Sequence, residues 1–258
     1  MTLKAAARLW FVMAVIGQWA FLYYVAAFYG RTTVQGNFQA WSKNDFLFKG
    51  YVPGDTAGNL TFAAHTLLAG IIAFGGAIQL VPGIRQRAMF LHRWNGRLFL
   101  VTAFGVSLSG LYMLWVRGAN GPRLGMPHAI AISLDALLIM VFGTLAWRSA
   151  LQRDPAGHRR WALRTFMAAN AQWFFRVGFV AWAILARGRV DGAFVHLWDF
   201  GSYLLPLAVL ELYLRAKESA APNWRLAMAC GLVALTLLMA FGSAGFTAFV
   251  WQRLLTKA

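Results

Sequence analysis

Four histidines are the residues of this sequence best suited to chemistry, because each stands near the start of a different long apolar segment. They are His65 in FAAHTLLAG, His92 in FLHRWNGR, His128 in GMPHAIAIS and His158 in DPAGHRRWALR. A neutral imidazole is the commonest side-chain ligand for a metal ion, and it binds through one ring nitrogen. The fifth histidine, His196 in FVHLWDFG, breaks the pattern and receives no role.

The apolar segments that follow these histidines predict a membrane protein. Of the 258 residues, 60% are hydrophobic and only 12% are charged, whereas a soluble domain has about 25% charged residues. A helix needs about 20 apolar residues to cross a lipid bilayer. The sequence therefore predicts an all-α integral membrane protein with a single transmembrane domain over residues 1–258. Its seven predicted transmembrane helices cover residues 8–29, 60–82, 94–116, 128–147, 160–184, 197–214 and 226–250.

The distribution of basic residues predicts an orientation. The net charge of +16 does not indicate nucleic acid as a partner, because the basic residues cluster in short loops at helix ends, where they set topology. With alternating helices, 14 Lys and Arg residues lie on the face that carries the N-terminus and 9 on the other, and Arg176 within a helix completes the 24. This excess predicts a cytoplasmic N-terminus. The single cysteine, Cys230, excludes an intrachain disulfide.

The four histidines fall at two depths. Antiparallel helices alternate in direction, so the starts of the second and fourth helices share the outer level and those of the third and fifth share the inner level. In a four-helix bundle over residues 60–184, these are also the diagonal partners. His65 and His128 are therefore predicted to face each other at the outer level, and His92 and His158 at the inner level. This layout suits two metal centres stacked across the membrane.

The motifs around the histidines resemble two groups of proteins. The set LHRWNGR and AGHRRWALR, preceded by a histidine in an earlier helix, resembles an uncharacterised family of bacterial predicted membrane proteins with HRWLGR and HRRW motifs. The resemblance covers roughly residues 60–180, and Asn95 stands where that family more usually has leucine. It implies the bacterial inner membrane as the location. More distantly, LHRWNG is similar to the LHSWxG of the cytochrome b561 proteins.

The cytochrome b561 similarity implies two b-type haems. One would be held by His65 and His128 and the other by His92 and His158, and their function would be electron transfer across the membrane. A quinol or a redox protein would be the partner, and the protein would act as a membrane oxidoreductase. Gly96, one turn beyond His92, would leave room for a macrocycle beside Asn95.

Charged residues inside the predicted helices suggest further contacts of such a cofactor. A charge at mid-bilayer costs roughly 2.5–3.5 kcal/mol on insertion scales, so it usually has a role. Arg176 is predicted at the outer histidine level, where it would pair with a haem propionate. Arg97 and Arg164 would do the same at the inner level. Asp135, about 10 Å deeper than His128, would be a protonated carboxyl or a member of a proton relay.

Two other functions fit parts of the pattern. A haem-free transporter or assembly factor would use the interior glycines for helix packing alone. A membrane zinc hydrolase would need three protein ligands at one place, whereas the histidines here divide between two sides. The presence or absence of haem distinguishes the first alternative from a cytochrome.

The longest predicted loop, residues 30–59, lies on the outer face. It carries Trp41, Phe46, Phe48 and Tyr51 together with the turn signal VPGDTAGN. Such aromatic residues favour an ordered cap on the membrane surface, and an interfacial anchor without a role in substrate binding is the alternative.

Overall fold

The protein is entirely helical in the part of the chain that the computed structural model describes, residues 1–44, 50–118 and 125–251. Short π- or 3-10 helices extend or follow some of the α-helices. The α-helices are α1 (Leu3–Tyr24), α2 (Arg31–Val34), α3 (Thr56–Gln79), α4 (Pro82–Arg87), α5 (Met89–Trp115), α6 (Gly125–Leu151), α7 (Pro155–Ala169), α8 (Ala171–Leu185), α9 (Gly192–Glu218) and α10 (Pro222–Phe246).

Among the described residues, six helical segments are long and apolar enough to cross a membrane. The first runs from Leu3 to Val34, because a π-helical turn at Val25–Gly30 joins α1 to α2. The others are α3, α5, α6, α9 and α10, the last extended to Phe249. The all-α membrane architecture is therefore confirmed, whereas the predicted count of seven continuous spans is only approximate.

The difference in count comes from the fifth predicted span, which is broken at Asn170. The amide of Asn170 donates to the carbonyl of Phe166 at 2.7 Å, and the backbone of Asn170 leaves the helical region at φ −102° and ψ 9°. A side-chain donor that competes for a helical carbonyl favours such an interruption. The span therefore consists of two helices, α7 and α8, of 15 residues each.

Several helices begin earlier than hydropathy predicts, because capping residues start them. Asp55 accepts from the Gly58 N–H at the start of α3, and Asp154 and Asp191 cap α7 and α9 in the same way. A side-chain oxygen that accepts from a first-turn N–H stabilises a helix start. One consequence is that His65, predicted in the first turns of its span, lies in the third turn of α3.

α3, α5, α6 and α7 form a four-helix core, whereas α8, the second half of the predicted fifth span, packs against α9 and α10. Consecutive members pack against each other, α3 against α5, α5 against α6, and α6 against α7. An apolar layer of Ile72, Phe99, Ala103, Ile139 and Ala168 joins all four spans. Around this core, α1 packs against α3 and α10, α10 against α8, and α9 against α6, α7 and α8. We call the membrane face with the N-terminus the N-terminal face, and the opposite one the loop face.

The loop face is closed by residues of the predicted loop 30–59. Trp41 is buried among Tyr24, Tyr29 and Phe62, and its indole N–H donates to the Thr32 hydroxyl at 2.9 Å. The expectation of an ordered cap agrees with this packing, although Phe46 and Phe48 lie outside the described residues. Arg117, at the end of α5, is a second anchor. It donates to Asp55 at 2.7 Å and to Asn59 at 2.6 Å.

We predict that the charge of Asp55 stabilises the loop face at neutral pH. The Gly58 N–H and then the Arg117 guanidinium hold the pKa of Asp55 below the usual range of an aspartate. A lowered pKa contributes stability that is present above the unfolded-state pKa and is lost as the pH falls through the folded-state pKa. Asp55→Asn keeps the helix cap but removes the charge, so it should lower Tm at pH 7, and the difference from wild type should shrink as the pH falls below about 4.

The measurement is the Tm of detergent-solubilised protein between pH 3 and pH 8. Asp191→Asn is the matched control, because Asp191 caps α9 through Phe194 and has no basic partner within the described chain. A Tm difference for Asp55→Asn that is the same at pH 3 and pH 7 would contradict the prediction.

Candidate functional site

The two histidines of the N-terminal face line one cavity. His92 is the fourth residue of α5 and His158 the fourth of α7, and both border a cavity of about 1320 Å³ between the helices. They are close enough for the charge of one to act on the other. The structure thus brings together this predicted pair from the third and fifth spans.

Groups on neighbouring elements contact both of these histidines. The Nδ1–H of His158 donates to the carbonyl of Ala146 in α6 at 2.9 Å. The Gln79 amide of α3 donates to the carbonyl of His92 at 3.0 Å and lies 3.4 Å from its Nε2. Asn95 in turn donates to the Gln79 carbonyl oxygen at 2.9 Å and to the Gly75 carbonyl at 2.8 Å. Asn95 therefore positions Gln79, which contacts His92.

On the loop face, His65 packs against α5. Its Nδ1 lies 3.0 Å from the hydroxyl of Ser109, and this hydroxyl donates to the Gly105 carbonyl at 2.7 Å. Which of these two groups donates to the other depends on the tautomer of His65.

His128 has the strongest partner of the four histidines. Its Nδ1–H donates to Asp199 of α9 at 2.8 Å, and the two side chains are only 1% and 2% exposed. The Nε2 of His128 is buried without a hydrogen-bond partner among the described residues. The hydrogen bonds of His65 and His128 lead to different helices, α5 and α9, so these bonds do not join the predicted outer pair directly.

Sequence reasoning missed Asp199, and it also left His196 unassigned. His196 lies on the same face of α9, with its Nδ1 3.9 Å from the other carboxylate oxygen of Asp199. An acidic residue inside an apolar helix is a signal in itself. Asp199, three residues after a histidine, carried that signal as clearly as Asp135 did.

Two of the four histidines thus share one chemical arrangement. His128 and His158 each donate the Nδ1–H to an oxygen of the protein, which leaves Nε2 as the basic nitrogen. Histidines that bind a metal usually donate their other N–H to a carboxylate, a carbonyl or a similar oxygen, which fixes the tautomer and the ring orientation. The arrangement can therefore provide axial ligands, whereas the contacts of His92 with Gln79 are longer and different in kind.

Arg176 lies in the loop half of the bundle near His65, close enough for its charge to act on that ring. Its guanidinium donates to the Gln172 carbonyl at 2.7 Å and lies 5.5 Å from the ring of Phe21. No carboxylate pairs with it in the described part of the chain. A buried guanidinium without a counter-ion favours an anionic ligand.

Arg164 differs from Arg176, and its predicted role needs correction. It forms two hydrogen bonds with Glu211 of α9, at 2.7 and 3.0 Å, and stacks on Trp161. This guanidinium already has a carboxylate partner in the protein, so it does not offer a free charge to a cofactor. Arg97 borders the cavity that His92 lines and stacks on Trp94 at 5.0 Å.

The remaining predicted residues have distinct positions. Asp135 is buried in α6, and one of its carboxylate oxygens has no partner within the described residues. Tyr203 of α9 is close enough to feel the charges of both Asp135 and Asp199. Gly96 borders the cavity, where a Cβ would come within 2.7 Å of the Gln79 amide. Its hydrogen atom therefore makes room for Gln79 beside His92.

The comparison with known families agrees with this architecture. A family model described as predicted membrane protein (DUF2306) matches residues 62–214, which is 153 of the 258 residues. The chain belongs to the DUF2306 family. All five histidines lie in the DUF2306 segment, whereas α1 and α10 lie outside it. No curated protein and no solved structure matches the chain significantly.

No metal site built from three or more His, Cys, Asp or Glu side chains occurs within residues 1–44, 50–118 and 125–251. A bis-histidine haem site has only two protein ligands, so it does not belong to this class of metal site.

We predict that Arg164 and Glu211 stabilise the protein as a pair. Their side chains are 19% and 39% exposed, so the coupling energy should be about 0.5–1 kcal/mol, near the upper end for partly screened pairs. The measurement is a double-mutant cycle of Arg164→Gln and Glu211→Gln on the free energy of unfolding.

The matched control for this cycle is Arg160 and Glu218, an ion pair whose side chains are 54% and 62% exposed. Its coupling energy should be close to zero. Equal coupling energies in the two cycles would contradict the view that the Arg164–Glu211 pair is structural.

Proposed function

We propose that this DUF2306 protein is a di-haem b-type cytochrome that transfers electrons across the membrane. The observation that carries the proposal is the shared arrangement of His128 in the loop half and His158 in the N-terminal half, each with Nδ1–H held by the protein and Nε2 left basic. The resemblance of the LHRWNG motif to cytochrome b561 proteins supports the same function.

The N-terminal half of the bundle fits a haem. His92 and His158 border the same cavity, and its volume of about 1320 Å³ exceeds the roughly 300–1,000 Å³ of ordinary ligand pockets. Arg97 borders it as a cation for a propionate. His158 would hold the iron through Nε2, since its Nδ1–H is donated to Ala146.

In the loop half, a buried nitrogen atom without a hydrogen-bond partner supports a second haem site. The Nε2 of His128 is such an atom within the described residues, and Asp199 makes this imidazole more basic by accepting its Nδ1–H. His65 would be the second ligand. Arg176, near His65 and without a carboxylate in the described chain, would bind a propionate.

Bis-histidine haem, when bound, accepts and releases one electron at iron without an open coordination position. The protein separates the two levels with the apolar layer of Ile72, Phe99, Ala103, Ile139 and Ala168. Along α5, His92 and Ser109, the partner of His65, are about 25 Å apart. The two sites would thus lie towards opposite membrane faces, each accessible to a quinol or a redox protein, with the basic N-terminal face towards the cytoplasm of a bacterial inner membrane.

We expect the purified protein to contain two haems per chain, and each ligand histidine to be required for one of them. Alanine at His65, His128, His92 or His158 should remove about half of the haem, because each site would lose one of two axial ligands. The measurement is the reduced-minus-oxidised spectrum with haem quantified per chain. His196→Ala is the matched control and should keep both haems.

Full haem content in all four single variants would contradict the ligand assignment. A colourless wild-type protein, expressed with sufficient haem, would contradict the cytochrome proposal and favour a haem-free transporter or assembly factor.

We further expect Arg176 to raise the midpoint potential of the haem held by His65. A positive charge near a haem disfavours the oxidised state, so Arg176→Gln should lower the potential of one haem and leave the other unchanged. The measurement is a spectroscopic redox titration, with Arg176→Lys retaining most of the effect. Arg187→Gln, at an exposed arginine of the loop face, is the control, and unchanged potentials in a fully loaded Arg176→Gln protein would contradict the assignment.

A further inference from the structure

The cavity of the N-terminal face carries more positive charge than the proposed haem accounts for. Seven basic side chains border it, and none forms an ion pair with a carboxylate within the described chain. They are Lys4, Arg8, Arg85, Arg93, Arg97, Arg153 and Arg159.

A charge balance gives the size of this excess. Asp154 is the one acidic residue on the cavity wall in the described structure, and it is engaged as the cap of α7 through Gly157. Seven positive charges and one negative charge leave six positive charges. Two haem propionates would reduce this number to four. The excess positive charge therefore favours an anion other than haem, whether or not haem is bound.

The deeper walls of the same cavity are apolar. Trp10 and Phe11 of α1, Leu163 of α7, Leu210 of α9 and Leu235 of α10 contribute to them. A ligand that binds between the basic rim and these walls, beside the proposed haem, would therefore combine an anionic head with long apolar chains. Basic pockets between transmembrane helices bind phospholipid head groups in this way.

We propose that this cavity binds an anionic phospholipid. The lipid phosphate lies against Lys4 and Arg8 at the start of α1, and the acyl chains run along the apolar walls towards the membrane centre. Because α1 lies outside the four-helix core, the lipid links α1 to the ends of α5 and α7. The inference does not depend on the haem proposal, since the basic residues of α1 are not part of either proposed haem site.

The test uses full-length, delipidated protein in detergent and native mass spectrometry with phosphatidylglycerol or phosphatidylcholine. Wild type should retain phosphatidylglycerol and release phosphatidylcholine. The double variant Lys4→Gln/Arg8→Gln should bind phosphatidylglycerol about 30-fold more weakly, from about 1 kcal/mol per basic residue and tenfold per 1.4 kcal/mol. Arg85→Gln should show a smaller loss in the same direction, and it keeps α1 intact.

The matched control is Arg215→Gln/Lys217→Gln, which removes two exposed charges from the same face outside the cavity. It should bind phosphatidylglycerol like wild type. Equal losses in the two double variants, or equal binding of the two lipids, would overturn the proposal. Displacement of phosphatidylglycerol by millimolar inorganic phosphate would also overturn it, because the site would then bind free phosphate. Haem content is measured on the same samples, so failure of the cytochrome proposal is seen separately.

Discussion

The need to satisfy each polar group inside the bilayer determines the arrangement of the histidines. An imidazole N–H without an acceptor in an apolar environment is costly, so an oxygen from another part of the chain stabilises an interior ring. Asp199 and the Ala146 carbonyl provide that oxygen for His128 and His158. Because these partners lie on α9 and α6, the orientation of the rings depends on how the helices pack. A helix that shifted by one turn would leave both a ring and its acceptor unsatisfied.

The same requirement explains how far the sequence predicts the structure. Hydropathy located the spans, because it reports the contact of each segment with lipid. It placed helix starts late, because capping by Asp55, Asp154 and Asp191 occurs in polar residues before the apolar run begins. Those aspartates could have been read as caps. The break at Asn170 is harder to predict, since asparagine also occurs within continuous helices and only its bond to Phe166 distinguishes the two cases.

The candidate site also has a part that the sequence predicts and a part that it does not. The shared cavity of His92 and His158 followed from helix direction and bundle geometry, both of which can be derived from sequence. The partner of Arg164 did not follow, because Glu211 is 47 residues away and its pairing depends on how α9 packs on α7. The pairing of Asp199 with His128 was equally hard to predict, since α9 lies outside the four-helix core. Residues contributed by surrounding helices therefore determine which predicted cations remain available to a ligand.

The interruption at Asn170 has a consequence for how the protein enters the membrane. A helix of 15 residues extends about 22 Å, which is less than the roughly 30 Å of the hydrocarbon layer. In addition, α7 carries Arg159, Arg160 and Arg164, so this half is a weak insertion signal for the translocon. We expect its stable integration to depend on α6 and α9, which supply the carbonyl of Ala146 and the carboxylate of Glu211. During biosynthesis, the fifth span would become committed to the bilayer only after α9 has left the ribosome.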